Sequence, residues 1–262
     1  MKKTLQRSNV MALIVTIIIN YLSNTGIFNG KTMATVSASY QNLFTPAGYA
    51  FAIWGLIYLG LAAFVIHQSR GLLSSSEVPA IVGRIGWSYV ASCAANCFWV
   101  LAWLYEYTGT SVLIMIILLA NLILIVKRTR MELDLITLKQ IALEWWPFAI
   151  YLGWICVALI ANVAAYLTKI QWAGFGISQV SWTIVMIFIA MVVNLFLTWN
   201  RNMRESASVG VWALIAVGVA NKGEEQAVVY ASLAASAILL LSTAVHGYRN
   251  RGNHFIVGNK TF

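Results

Sequence analysis

The stretch that decides the fold is residues 146–168, which read WPFAIYLGWICVALIANVAAYLT. It contains no charged residue, and a bilayer core about 30 Å thick needs roughly 20 apolar residues of helix to cross it. The stretch is therefore long and apolar enough for one transmembrane helix. Four of its side chains recur at i, i+3, i+7 and i+11, which places them on one face of that helix. These are Tyr151, Trp154, Ala158 and Asn162.

The composition of the whole chain agrees with this assignment. Of the 262 residues, 60% are hydrophobic and only 10% are charged, and the mean hydropathy is +0.78. A soluble domain has about 25% charged residues, so this chain cannot cover a water-facing surface with charge. We predict an all-α integral membrane protein, and the composition excludes a disordered chain, a disulfide-stapled secreted domain and a nucleic-acid-binding module.

Eight charge-free stretches are candidate transmembrane spans. We expect the first to remain uncleaved, because the small residues at 36–38 lie too far beyond its apolar core for a signal-peptide cleavage site. The seventh is the shortest and could be a tilted, short or re-entrant helix. The stretches are 10–28, 47–66, 85–105, 110–126, 146–168, 181–200, 207–221 and 227–247.

Basic residues fall mainly in alternate loops. One side of the membrane receives only Lys31, Lys169 and Lys222, and the other side receives the remaining Lys and Arg. Because short cytoplasmic loops retain basic residues, we expect both termini to be cytoplasmic. Trp and Tyr at the ends of the spans, Trp103 among them, are expected to anchor at the headgroups. The mid-span Trp212 needs another explanation.

The residue types that usually mark catalysis are missing from the spans. No Lys, Arg, Asp or Glu lies inside most of them, which argues against a proton relay or ion coupling. We therefore predict no catalytic residue and no metal site. The cysteines are expected to be small packing residues and the histidines to lie at the cytoplasmic surface. They are Cys93, Cys97, Cys156, His67, His246 and His254.

Two further spans carry faces like that of residues 146–168. Each combines aromatic rings with hydrogen-bonding groups at helical spacing. At 1.5 Å per residue, the tryptophans of the three faces lie in the outer half of the membrane or near its midplane. The second span contributes Phe51, Trp54 and Tyr58, and the third contributes Asn96, Trp99 and Trp103.

Two interpretations of these faces remain open. Aromatic stripes and intramembrane Asn also serve interhelical packing, and periodicity alone favours that interpretation. The common depth of the three faces instead favours a pocket, with the 29–46 loop above it as a cover. Flat aromatic walls suit a flat hydrophobic ligand, whether a porphyrin, a sterol, a quinone or a carotenoid.

At these same residues the chain resembles the TspO/translocator protein family, also called tryptophan-rich sensory proteins. The Tyr-Leu-x-Trp motif of that family, with its later Ala and Asn, is similar to residues 151–162, and its Asn-x-x-Trp motif is similar to residues 96–99. Its loop-to-helix run of Pro, Gly, aromatic, Phe and Trp resembles residues 46–58. The chain departs from the family pattern at Ala47, which replaces a second Pro, and at Pro147, which is displaced from just before the fifth-helix Tyr.

The resemblance covers roughly residues 10–168. It implies a TspO-like five-helix bundle with a pocket under the first loop, which binds tetrapyrroles such as protoporphyrin or other flat hydrophobic ligands. The pocket tryptophans of the family would be Trp54 and Trp154. We accordingly expect a TspO-like unit at 1–168 and a three-helix C-terminal membrane extension at 169–262, packed together as one domain.

The function that we expect is a membrane receptor or sensor for a planar hydrophobic ligand. A small-molecule transporter or permease, a porphyrin-degrading enzyme and a structural role remain alternatives. No cofactor is expected other than a tetrapyrrole ligand. The predicted ligand-binding residues are Phe51, Trp54, Tyr58, Asn96, Trp99, Tyr151, Trp154, Ala158 and Asn162.

The expected partners are the lipid bilayer and a hydrophobic small molecule, with no nucleic acid. The last span also has small-residue faces, Ala231/Ala235 and Ser232/Ser236, which suit packing within the bundle or a homodimer. The expected location is a bacterial inner or plasma membrane, with the chain crossing it several times.

Overall fold

A computed structural model describes residues 2–73, 77–134 and 136–250, and the protein is all-helical within them, with no strand. The long helices of this part of the chain follow the predicted spans in order. They are α1 (Lys2–Leu22), α2 (Ile53–Gln68), α3 (Ser88–Leu104), α4 (Thr108–Thr129), α5 (Trp146–Lys169), α6 (Gln179–Arg201), α7 (Arg204–Ala220) and α8 (Gln226–Arg249).

Among the described residues, six helical segments are long and apolar enough to cross a membrane, and they contain every long helix except α3 and α7. These two helices have 17 residues each. The third predicted span began at residue 85, but Gly86 at φ 58° separates the short helix Ala80–Ile85 from α3. The seventh span, the shortest of the eight predicted stretches, forms α7, the other helix with 17 residues.

Local sequence explains where several helices begin and end. Pro147 lies in the first turn of α5, where the N–H that proline lacks has no helical partner to bond. Ser178 caps α6 by accepting a hydrogen bond from the backbone N–H of Ser181 at 3.1 Å. Asn202 ends α6 in the left-handed conformation (φ 57°), which Asn tolerates, and α7 begins two residues later.

Helix α5 lies at the centre of the bundle. It contacts α2 and α4 on one side and α7 on the other, while α1 packs against α2 and α3, and α6 to α8 pack on one another. The outward faces of the bundle carry large apolar side chains, which is typical of a surface that meets lipid tails. Leu59 and Leu241, for example, are 70% and 67% exposed.

The bundle has two different ends. We call the end at which α1 leads into α2 through residues 23–52 the loop end, and the opposite end, where α1 starts and α8 finishes, the terminal end. At the terminal end Asn9 Nδ2 donates to Gln68 Oε1 at 2.9 Å and Gln68 Nε2 donates to the carbonyl of Gln6 at 3.2 Å. These hydrogen bonds between side-chain amides and their partners join α1 to α2.

The terminal end also corrects the expectation for the histidines. The histidines were expected at the surface, but His246 is buried, with only 3% of its surface exposed, and His67 pairs with Glu144 at 3.1 Å. His254 lies outside the described residues. Glu132 and Glu144 are buried as well. Sequence placed His67 and His246 at helix ends, where they lie, but only the packing of neighbouring helices decides whether a helix end is covered.

Candidate ligand-binding site

Residues 23–52, which we call the covering loop, fold over the loop end of the bundle. Within it Thr32 and Thr35 cap each other at the start of the short helix Met33–Ser39. Val36 and Phe44 are buried, so the loop is held by apolar packing as well as by its own hydrogen bonds. The covering loop therefore closes the space between α2, α3 and α5 from one side.

Under the covering loop, tryptophan side chains from three helices meet in what we call the aromatic chamber. The ring of Trp54 from α2 lies 5.9 Å from that of Trp99 in a stacked arrangement, and 6.2 Å from that of Trp154 in an edge-on arrangement. The unfilled volume of the aromatic chamber is only about 60 Å³. The lining is Met33, Ser37, Tyr40, Phe44, Thr45, Pro46, Phe51, Trp54, Trp99, Trp103, Trp154, Val157, Ala158, Ala161, Asn162, Ala165, Ala213 and Val217.

A second and larger space, the outer chamber, adjoins the aromatic chamber and has a volume of about 530 Å³. The two chambers share several wall residues, including Phe51, Trp54 and Trp99. The outer chamber differs in being lined by neutral polar groups from the end of α1, namely Asn20, Ser23 and Asn24. One ligand could therefore place an apolar ring in contact with the tryptophans and a polar edge against amides and hydroxyls.

Three hydrogen-bond donors that line the chambers are buried without a partner. They are the hydroxyl of Tyr58 and the indole N–H groups of Trp99 and Trp154. Buried polar groups are almost always hydrogen-bonded, so an unpaired donor needs an explanation. A ligand that carries acceptor atoms would satisfy these donors.

A layer of paired polar groups lies behind the aromatic walls. Asn20 Nδ2 donates to Asn96 Oδ1 at 2.7 Å, and Asn96 Nδ2 donates to the hydroxyl of Tyr151 at 3.1 Å. These bonds connect α1, α3 and α5. On the other side of α5, Asn162 is hydrogen-bonded to Ser111 of α4 at 3.0 Å. The paired groups fix the helices that carry the tryptophans.

Charge is confined to the rim of the site. Among the described residues that line the two chambers, none is charged. At the rim Lys31 forms an ion pair with Glu106 at 2.7 Å, and Lys169 donates to the carbonyl of Glu106 and lies 5.6 Å from the ring of Tyr40. The hydrogen bond from Lys31 lowers the pKa of Glu106. Partial burial, and then Glu106, raise the pKa of Tyr40.

The structure brings most of the predicted site residues together. Seven of them line a chamber, while Asn96 and Tyr151 lie in the hydrogen-bonded layer behind the walls. Tyr151 still touches the site indirectly, because its ring packs edge-on against Trp54 at 5.8 Å. The seven lining residues are Phe51, Trp54, Tyr58, Trp99, Trp154, Ala158 and Asn162.

Several lining residues were not predicted from the sequence, among them Trp103 and residues of α7. Trp103 was assigned to headgroup anchoring, but it is buried and stacks on Trp99 at 6.4 Å. Its spacing from Trp99 on one helix face was a signal that could have included it. Ala213 and Val217 of α7 had no such signal, because small and aliphatic residues in an apolar span look alike whether they face lipid or a cavity.

The site offers binding groups rather than reactive ones. Within the described residues, no three or more His, Cys, Asp or Glu side chains are placed to hold a metal ion. Cys93 is buried, Cys97 and Cys156 are partly buried, and none of the three forms a disulfide bond. What the arrangement provides is stacking, apolar contact and hydrogen-bond donation.

Comparison with known proteins identifies the family. A family model described as TSPO-like protein matches residues 6–245, whereas no curated protein and no solved structure matches the chain. The match continues well past residue 168, so it includes the three C-terminal helices that the motifs alone did not connect to the family. Together with the apolar helices, it makes this a multi-pass integral membrane protein in contact with the lipid bilayer. The chain belongs to the TSPO-like family.

Proposed function

We propose that this protein is a membrane receptor or sensor, and that it binds a planar hydrophobic ligand, a tetrapyrrole such as protoporphyrin, in the two chambers. The observation that carries the proposal is the set of unpartnered donors, Tyr58, Trp99 and Trp154, within aromatic walls. Without a ligand each unpaired donor costs free energy, and a bound acceptor removes that cost.

Ring geometry supports a flat ligand. Trp54 and Trp99 are within 29° of parallel, and Trp154 stands at 80° to Trp54. A planar π-system can stack on the first pair and meet the third ring edge-on, both of which are favoured aromatic arrangements.

Size decides which chamber such a ligand would occupy. Ligand pockets typically have about 300 to 1,000 Å³, so the outer chamber is large enough and the aromatic chamber, at about 60 Å³, is not. A tetrapyrrole would therefore lie in the outer chamber against Phe51, Trp54 and Trp99. One edge of it would extend between the indoles into the aromatic chamber, where Trp154, Ala213 and Val217 form the wall.

The test is a titration of the detergent-purified protein with protoporphyrin, followed by the absorption band of the ligand. We expect a saturable shift of the band, and we expect Trp54→Phe and Trp99→Phe to weaken binding about tenfold each, since each removes stacking area or a donor. Trp87→Phe is the matched control, because Trp87 is 55% exposed and lies at the other end of α3.

Two results would overturn the proposal. One is a band that does not shift with the wild-type protein. The other is a shift with the same affinity in wild type, Trp54→Phe and Trp99→Phe, which would place the ligand elsewhere. A band that disappears with time instead of shifting would indicate breakdown of the porphyrin, the enzymatic alternative.

A further inference from the structure

Helix α7 reaches the binding site although it lies outside the five helices to which the sequence motifs belong. Its Ala213 and Val217 line the aromatic chamber, and Ala220 at its end lines the outer chamber. Ala213 and Val217 are both buried. One wall of the site therefore comes from the C-terminal part of the chain.

The start of α7 is held in close contact with its neighbours. A Cβ atom at Gly153 of α5 would lie 2.8 Å from the Cα atom of Ser206, so only glycine permits this approach. Ser206 Oγ also donates to the carbonyl of Ala149 at 2.7 Å. On the α6 side, a Cβ atom at Gly210 would lie 2.7 Å from the amide of Asn194. These contacts fix the position of α7 beside α5.

From this fixed position, three hydrogen bonds run from α7 to the covering loop. The backbone N–H of Ala47 donates to the carbonyl of Ala216 at 3.0 Å. Asn221 Nδ2 donates to the carbonyl of Leu43 at 2.9 Å, and Trp212 Nε1 donates to the carbonyl of Ala50 at 3.2 Å.

These bonds enclose the part of the loop that lines the site. Leu43 and Ala50 lie on either side of Phe44, Thr45 and Pro46, which form part of the chamber lining. The ring of Tyr49 also packs edge-on against Trp212 at 5.1 Å. The role of the mid-span Trp212 is thus a contact with the loop.

We propose that Trp212 and Asn221 are positioning residues of the binding site, and that α7 holds loop segment 42–51 over a chamber of which Ala213 and Val217 form a wall. The C-terminal helices thereby set how large a ligand fits and how fast it leaves. The part of this inference that concerns ligands rests on the proposed function; the part that concerns the loop does not.

The loop part is tested without ligand by hydrogen–deuterium exchange in detergent micelles. We expect the double variant Trp212→Phe/Asn221→Leu to exchange segment 42–51 at least about fivefold faster than wild type, because two of the three bonds are lost. Asn121→Leu is the matched control, since Asn121 and Asn221 both donate to the carbonyl four residues earlier, that of Ile117 and that of Val217, and Asn121 does so on the α4 helix. Unchanged exchange in the double variant overturns the proposal, whatever the protein binds.

The ligand part uses protoporphyrin as the probe. Ala213→Leu adds volume to a chamber with little space, so we expect at least about tenfold weaker binding, whereas Ala234→Leu, at an exposed position of α8, should bind like wild type. The Trp212→Phe/Asn221→Leu variant should release the ligand several-fold faster. Equal affinity of Ala213→Leu and wild type for protoporphyrin overturns the assignment of α7 to the wall. If wild type does not bind protoporphyrin at all, the proposed function is overturned. The exchange experiment decides the assignment of the loop in either case.

Discussion

The two ends of the bundle leave different kinds of polar group unpaired. At the loop end the unpaired atoms that line the chambers are neutral donors, on Tyr58, Trp99 and Trp154, and they surround open space. At the terminal end the unpaired atoms include ionisable side chains, such as Glu132 Oε1 and Arg204 Nε, beside neutral amides such as that of Gln6.

This difference gives the two ends different expected roles, ligand binding at the loop end and a response to pH at the terminal end. A neutral donor beside a chamber can gain a partner only when a molecule enters, so the loop end is suited to a ligand with acceptor atoms. A buried carboxyl group can instead gain a proton, so the terminal end should respond to pH. Substitutions at both ends of the bundle test this contrast.

The largest effect is expected at Glu132. Burial, and secondarily Glu205, raise the pKa of Glu132 to about 8, while Arg204 acts in the opposite direction. Because this folded-state pKa lies above the usual value of 4.5, the folded protein binds a proton that the unfolded chain releases, and stability falls as pH rises from about 4.5 to about 8. Glu132→Gln should therefore raise the free energy of unfolding by about 5 kcal/mol at pH 9 and hardly change it at pH 4.

Thermal unfolding in detergent at these two pH values measures this difference. Glu77→Gln is the control, since Glu77 is exposed. If Glu132→Gln and wild type lose stability in parallel as pH rises, the terminal end does not hold a destabilised carboxylate and the contrast between the ends fails.

The next effect compares two glycines. Gly153→Ala places a Cβ atom 2.8 Å from Ser206, whereas a Cβ atom at Gly55 of α2, towards the loop end, meets nothing within 4 Å. We expect Gly153→Ala to lower the free energy of unfolding by about 2 kcal/mol through overpacking, and Gly55→Ala to leave it equal or raise it by up to about 1 kcal/mol. Unfolding in detergent checks both, and equal effects would contradict the close α5–α7 contact.

Two tyrosines towards the loop end differ in whether the hydroxyl has a hydrogen-bond partner. Tyr151→Phe removes the hydroxyl that accepts a hydrogen bond from Asn96. It should lower the free energy of unfolding by about 1 kcal/mol, as for other interhelical hydrogen bonds in membranes. Tyr58→Phe removes a hydroxyl without a partner, so the ligand-free protein should be equally or more stable. Protoporphyrin binding should weaken several-fold in Tyr58→Phe. A loss of stability as large as that of Tyr151→Phe would show that the Tyr58 hydroxyl is already satisfied.

The smallest effect is expected at the rim. The Lys31 hydrogen bond lowers the pKa of Glu106, so the ion pair contributes stability above the unfolded pKa of the carboxyl group, and this contribution is lost as pH falls through the lowered folded value. Both side chains are partly exposed, and Glu106→Gln should cost only about 0.5 kcal/mol near neutral pH. Hydrogen–deuterium exchange of loop residues 29–35 in wild type and Glu106→Gln, at pH 7 in low salt and in about 1 M salt, measures this cost, because salt screens a partly exposed ion pair. An equally large difference between variant and wild type in high salt would contradict the ionic origin of the contact.

Helical periodicity, taken together with depth in the membrane, predicted the aromatic walls. Trp54, Trp99 and Trp154 each lie on a polar-aromatic stripe whose spacing can be read from sequence, and all three meet under the covering loop. The depth of each residue follows from its distance along a helix of known rise. Periodicity could not assign Phe44 and Met33, because a loop has no repeating geometry from which the direction of a side chain follows.

The all-helical membrane fold and the faces on which the tryptophans lie follow from the order of the amino acids, because a bilayer requires long apolar helices and a helix fixes the spacing of its own side chains. The contribution of α7 to the site follows from helix packing instead. Asn221 and Leu43 are 178 residues apart, and Trp212 and Ala50 are 162 apart. Contacts at such separations depend on how the helices pack around α5, and no local pattern in either segment encodes its partner.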